Sequence, residues 1–221
     1  MNRFQKIFSS GRKVAVGYVT AGCPSVESSL EFMRGMIEGG TDILELGVPF
    51  SDPTADGPVI QQSSQLALRN GFTIDKVFEI ASTLRKEYPD LGLVLFSYYN
   101  PIYFMGLENF ARRAQEAGAD GALVVDVPFE ERSEIEPVLN AHGIELIPLV
   151  SPATGVGRMK KITAGCRSFV YYITVRGVTG TRTELPPDLL RNLTALREIS
   201  PAPVAAGFGI SSPENARTAV R

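Results

Sequence analysis

One glutamate stands out by its surroundings. Glu45 lies inside the apolar run Ile43-Leu44-Glu45-Leu46, where an ionised carboxylate is costly unless it is paired or put to use. Burial raises a carboxyl pKa toward the range where the group gives and takes protons near neutral pH. The position suits acid/base chemistry, and it equally suits a structural glutamate bonded to a neighbouring tyrosine or backbone amide. The following loop, Pro49-Phe50-Ser51-Asp52-Pro53-Thr54-Ala55-Asp56-Gly57-Pro58, adds two carboxylates and three prolines. Proline fixes φ and stiffens the loop, which favours positioned chemistry. Asp52 and Asp56 can share acid and base roles with Glu45, or serve only as turn and N-cap residues.

Two other segments carry chemistry of a different kind. Gly207-Phe208-Gly209-Ile210-Ser211-Ser212-Pro213 leaves an apolar run and enters a helical pattern. Glycines there let backbone amides approach an anion, and the helix N-terminus adds a favourable dipole. The bland reading is a glycine turn with Ser212 as N-cap. Val175 to Thr183 is polar and glycine-bearing, which fits a lid over a site or a plain surface loop. His142 precedes Gly143 at a helix end and reads as a dipole partner, while Cys23 reads as a small filler. Tyr98, Tyr99 and Tyr103 read as packing, and Lys160-Lys161 as a solvated face. With one histidine and two cysteines, a Cys/His zinc site is excluded.

These residues must be held by a regular frame. Short apolar runs at Val14–Thr20, Asp42–Val48, Gly92–Tyr98, Gly121–Val127, Glu145–Ser151, Phe169–Thr174 and Pro203–Gly209 read as strands. Amphipathic helical stretches alternate with them, ending with Pro213–Arg221, and several strands are apolar on both faces, as parallel strands covered by helices are. Strict alternation means an α/β fold. An internal echo favours a barrel over an open sheet: Gly39-Gly40-Thr41-Asp42 and Ala117-Gly118-Ala119-Asp120 each lead into a strand that ends in Val-Pro-Phe. The expectation is a (β/α)8 TIM-barrel type with seven of eight strands, one βα-barrel domain over residues 1–221 and incomplete at its C-terminus. Function in such a barrel collects at the C-terminal strand ends.

Composition narrows the partners. The 221 residues are 44% hydrophobic and carry 22 Lys and Arg against 24 Asp and Glu, a net charge of −2. No basic stripe marks a nucleic-acid binder, and no apolar stretch approaches the ~20 residues of a membrane helix. A soluble, cytoplasmic protein acting on small molecules is expected.

The run Leu44-Glu45-Leu46-Gly47-Val48-Pro49-Phe50-Ser51-Asp52-Pro53-Thr54-Ala55-Asp56-Gly57-Pro58 closely resembles the signature of the tryptophan synthase α subunit. The likeness continues through Gly17-Tyr18-Val19-Thr20, Tyr98–Pro101, Asp126-Val127-Pro128, Gly177-Val178-Thr179-Gly180 and Gly207-Phe208-Gly209-Ile210-Ser211. The resemblance implies cleavage of indole-3-glycerol phosphate to indole and glyceraldehyde 3-phosphate, a retro-aldol step with no cofactor or metal in this subunit. It makes Glu45 the acid/base, Asp56 the group that holds the indole N–H, and Tyr171 a neighbour of the catalytic glutamate. Tyr18, Ile60, Phe96, Tyr98 and Phe208 would line the indole pocket. Gly180 and Gly209 would hold phosphate, and Thr179 would close the lid. Asp52, Pro53 and Asn100 fall on the surface that docks a PLP-bearing β subunit, implying an α2β2 assembly.

The chain departs from the pattern at Thr54, where the family usually has a larger aliphatic residue. Its end at Arg221 implies a member short of the eighth βα unit. Two other readings follow: a silent short subunit that only docks a β subunit, and another phosphate-binding barrel such as an isomerase or epimerase.

Overall fold

The computed structural model describes residues 1–173 and 189–207, together with Glu214 and Arg217. The chain divides into two compact units: residues 1–53 with 59–146, and residues 54–58 with 147–221.

In the first unit, strands β1 (Val16–Thr20), β2 (Ile43–Gly47), β3 (Gly92–Ser97), β4 (Gly121–Val124) and β5 (Glu145–Leu146) pair in that order, all parallel. Helices α1 (Arg3–Phe8), α2 (Val26–Glu38), α3 (Pro58–Arg69), α4 (Ile74–Glu87), α5 (Tyr99–Met105), α6 (Leu107–Glu116) and α7 (Arg132–Ala141) fall between and before them. The core packs Leu44, Leu46, Leu93, Leu95, Ala122 and Val124 of the sheet against Met33, Leu84, Phe110 and Leu139 of the helices. Side chains alternate along a strand, so Glu45, Gly47, Val94 and Phe96 lie on the opposite face, turned away from those helices.

The echo in the sequence is a structural device. Asp42 and Asp120 stand at the N-terminal ends of β2 and β4, each preceded by a glycine at positive φ: Gly40 at 103° and Gly118 at 78°. Asp42 donates its amide to the Ala15 carbonyl and accepts the Ala15 amide on its carboxylate, both at 2.9 Å. Asp120 does the same with Leu93, at 2.8 and 2.9 Å. Arginines neutralise both carboxylates, Arg12 at Asp42 and the pair Arg3 and Arg85 at Asp120. Each aspartate thereby sets a neighbouring strand's register.

The second unit pairs β6 (Leu149–Val150), β7 (Val170–Ile173) and β8 (Val204–Gly207) in parallel, with α8 (Val156–Thr163) and α9 (Leu189–Ile199) as helices.

The expectation of seven strands is corrected: eight parallel strands are present among the described residues, five in one sheet and three in the other, in an α/β fold. The segment 145–151, expected as one strand, is two. Pro148 lies between β5 and β6 and has no amide hydrogen to give to a ladder, although its carbonyl still accepts from the Tyr171 amide at 2.9 Å. Helices α1 and α5 carry too little apolar periodicity to be read from sequence, and α3 begins at Pro58, six residues before the expected stretch from Ser64. Proline at a first helical position suits that start. The expected helix 213–221 lies outside the described residues, apart from Glu214 and Arg217. Among the described residues, no helix is long and apolar enough to cross a membrane.

Candidate active site

Glu45 sits at the centre of β2, only 2% exposed. Its Oε1 is buried with no hydrogen-bond partner among the described residues. Burial pushes the carboxyl up to about 8, so the group is mostly protonated at neutral pH yet ionises within reach of it. A structural glutamate would have its buried oxygens bonded, since an unsatisfied buried acceptor costs about 1–3 kcal/mol.

The surroundings of Glu45 on that face are aromatic and hydroxylic. Register places Tyr18 of β1 directly opposite Glu45 and Val94 of β3 on its other side. The Tyr18 ring meets Phe96 edge-on, with centroids 5.2 Å apart. The Tyr18 hydroxyl lies 3.3 Å from Thr20 Oγ1, which lies 2.8 Å from Ser63 Oγ. Ile60, half-buried in the first turn of α3, accepts from Ser63 Oγ at 2.9 Å. Tyr98 is buried at the entry to α5 and stacks near Phe50 at 5.1 Å. Thus Tyr18, Phe96 and Glu45 share one sheet face in the first unit, and Ile60 joins them through a chain of hydroxyls. That chain, through Thr20 and Ser63, was not legible beforehand; Thr20 at a strand end was visible, Ser63 on a polar helix face was not.

Asn100 and Asp52 are exposed, and Pro53 is half-buried. Asp126 accepts the Tyr99 amide at 2.7 Å and so caps α5. Tyr103 does not pack as expected: it is 70% exposed and Phe104 beside it 93%, because the short α5 buries only Ile102.

In the second unit, Asp56 is buried at 5% exposure although Thr54, Ala55 and Pro58 around it are exposed. A turn or cap aspartate in so exposed a loop would face solvent; this one is withdrawn. Tyr171 on β7 is 6% exposed, with its phenol over Gly207 of β8. Thr179, Gly180, Phe208 and Gly209, with the lid segment 175–183, lie outside the described residues.

His142 caps α7 and bridges α6 through Gln115 at 3.0 Å and Glu108 at 2.8 Å, a structural role. Cys23 is half-buried and its thiol is pushed up by burial, so it stays protonated and inert. Among the described residues, no group of three or more His, Cys, Asp or Glu could hold a metal ion.

The sequence model of the family described as "Tryptophan synthase alpha chain" matches residues 4–221. The tryptophan synthase alpha chain of Desulfosudis oleivorans is 46% identical over 220 residues, covering 97% of this chain and 82% of that one. A solved structure from Aquifex aeolicus superposes with TM-score 0.89 at 39% identity, covering 99% of this chain and 84% of that one. The α2β2 tryptophan synthase complex of Pyrococcus furiosus contains a chain that matches with TM-score 0.86 at 37% identity, over 93% of this chain and 82% of that one. In place of a C-terminally short member, these matches support a tryptophan synthase alpha chain, matched over nearly all of this chain and over 82–84% of the relatives' own length. The expected count of seven strands took 145–151 as one strand, where the structure has two.

Proposed function

The chain belongs to the tryptophan synthase alpha chain family, and we propose from that premise that Glu45 is the acid/base of its reaction and Asp56 the group that holds the indole N–H. The protein is a lyase that cleaves indole-3-glycerol phosphate to indole and glyceraldehyde 3-phosphate. The observation that carries the assignment is the buried Glu45 carboxyl with an open Oε1 and a pKa raised to about 8.

A carboxyl in that state can do both halves of a retro-aldol cleavage. As an acid, Glu45 gives its proton to C3 of the indole ring, and the positive charge that develops is shared with the ring nitrogen. Asp56, as an anion, holds the N–H and stabilises that charge. As a base, the Glu45 carboxylate then takes the proton of the hydroxyl on the adjacent side-chain carbon. The bond from that carbon to C3 breaks, its electron pair returns to the ring, and the carbon leaves as the aldehyde of glyceraldehyde 3-phosphate. Proton count is unchanged at the end, so no cofactor is consumed. Tyr18, Ile60, Phe96 and Tyr98 are assigned to the indole ring; the family resemblance assigns Phe208 to it as well and gives Tyr171 a part in the reaction. The resemblance assigns the phosphate to the backbone amides of Gly180 and Gly209 and the lid to Thr179, all three outside the described residues.

We assign the partner as a PLP-bearing β subunit in an α2β2 assembly, docked at Asp52, Pro53 and Asn100. The exposed Tyr103 and Phe104 on the same helix as Asn100 support that surface, since paired exposed aromatics mark contact sites. The cytoplasm is the compartment this assignment carries.

The test is direct. Purified protein incubated with indole-3-glycerol phosphate in the presence of a chelator should release indole and glyceraldehyde 3-phosphate in equal amounts. No indole release, with or without a β subunit added, overturns the reading.

A further inference from the structure

Gly47, Thr20 and Ser63 belong to no role assigned so far, yet Gly47 and Thr20 meet the Tyr18 phenol and Ser63 bonds Thr20. Tyr18 is clamped on two sides. Phe96 meets it edge-on at 5.2 Å, and Gly47, lacking a β-carbon, leaves room for the phenol. A β-carbon on Gly47 would come within 2.5 Å of Tyr18 Cζ and closer still to the hydroxyl. Gly47 is on the adjacent strand, paired with Thr20, so the glycine and the hydroxyl partner of Tyr18 are neighbours across the ladder.

The hydroxyl chain has a fixed direction. Ser63 Oγ spends its one proton on the Ile60 carbonyl at 2.9 Å, so it accepts from Thr20 at 2.8 Å. Thr20 has then spent its own proton and accepts from Tyr18 at 3.3 Å. The Tyr18 proton therefore points at Thr20, and its ring is tied to the first turn of α3. Thr20 is 6% exposed, which shields the chain from competing water.

We propose that Gly47, Thr20 and Ser63 are specificity-determining residues that lock the Tyr18 phenol on the Glu45 face and thereby set which substituted indole rings are accepted. The proposal rests on the assignment of Tyr18 to the indole pocket. A locked ring is a hard wall, and a hard wall discriminates by a methyl group. One methyl(ene) in a fitted pocket is worth about 10–200-fold.

The experiment runs the reaction in the condensation direction, with glyceraldehyde 3-phosphate and either indole or each monomethylindole substituted on the six-membered ring. The readout is kcat/KM for indole divided by kcat/KM for the least accepted methylindole. Thr20→Val and Ser63→Ala should each lower that ratio by about tenfold, as expected when a fitted wall softens, and Thr20→Ser should keep it. Ser63 is half-buried on a helix, so Ser63→Ala decides the matter if Thr20→Val does not fold. A merely structural role would lower kcat/KM for all rings alike and leave the ratio unmoved. An unmoved ratio in Ser63→Ala, with the parent enzyme active, overturns the proposal alone. A parent that condenses no indole at all overturns the functional assignment beneath it.

Discussion

The phenol of Tyr171 lies over the backbone of Gly207, so closely that a β-carbon on the glycine would overlap both its hydroxyl and its ring. The same relationship joins Tyr18 to Gly47 in the other unit. In each case the tyrosine leans forward along its strand over a glycine two register positions ahead on the next strand, β1 to β2 and β7 to β8. The glycines are there for space, since neither has the positive φ that would otherwise demand one.

Gly207→Ala should therefore be costly despite its small size. Overpacking a fitted site typically costs 1–3 kcal/mol, so a loss of about 2 kcal/mol is expected. Urea unfolding of the variant beside the parent checks it; equal midpoints would mean that the Tyr171 ring moves aside freely.

Glu45 also shapes stability against pH. Its carboxyl titrates near 4.5 when unfolded and about 8 when folded, so the folded state holds the proton more tightly. Stability contributed by the protonated form is fully present below the unfolded value and is lost as pH rises through about 8. Within that window the loss approaches about 1.4 kcal/mol per pH unit at most. Glu45→Gln cannot ionise, so its melting temperature relative to the parent should climb between pH 5 and pH 9. A constant difference across that range would refute the raised value.

Asp120 holds a different kind of position. It receives Arg85 at 2.6 Å, Arg3 at 2.7 Å and the Leu93 amide at 2.9 Å while almost buried. Asp120→Ala leaves Arg85, itself largely buried, without its carboxylate, and removing one partner of a buried pair costs about 3–5 kcal/mol. Lyase kinetics at low temperature should change far less than the unfolding midpoint. If the midpoint stays put, the network contributes nothing to the fold.

This aspartate shows what could be read beforehand. The repeat of Gly-x-Asp before a strand was visible in the letters, because the same turn recurs wherever a strand starts the same way. The purpose of the repeat was not visible: Arg85 and Arg3 lie 35 and 117 residues from Asp120 in sequence. Glu45 was legible because a charge in an apolar run is anomalous on any scale. Ser63 was not, since a serine on a helix face is ordinary until the fold puts Thr20 beside it. The division at Pro148 could have been read from the missing amide hydrogen, and α5 could not, because it buries a single apolar side chain, Ile102.

The exposed aromatics of α5 yield another expected outcome. Replacing both Tyr103 and Phe104 by serine should weaken binding of the β subunit by tenfold or more, since buried aromatic anchors dominate interface energies at ~2 kcal/mol or above. Titration calorimetry with purified β subunit measures it. Unchanged affinity would place the docking surface elsewhere.

The most direct measurement is the single-turnover rate of indole release by Glu45→Gln at saturating indole-3-glycerol phosphate. Glutamine keeps the shape of the side chain and removes its proton transfer. The account predicts a fall of ~10²–10⁴ or more, with the dissociation constant for substrate little changed. A rate within a few-fold of the parent would contradict the assignment of Glu45 as the acid and base of the reaction.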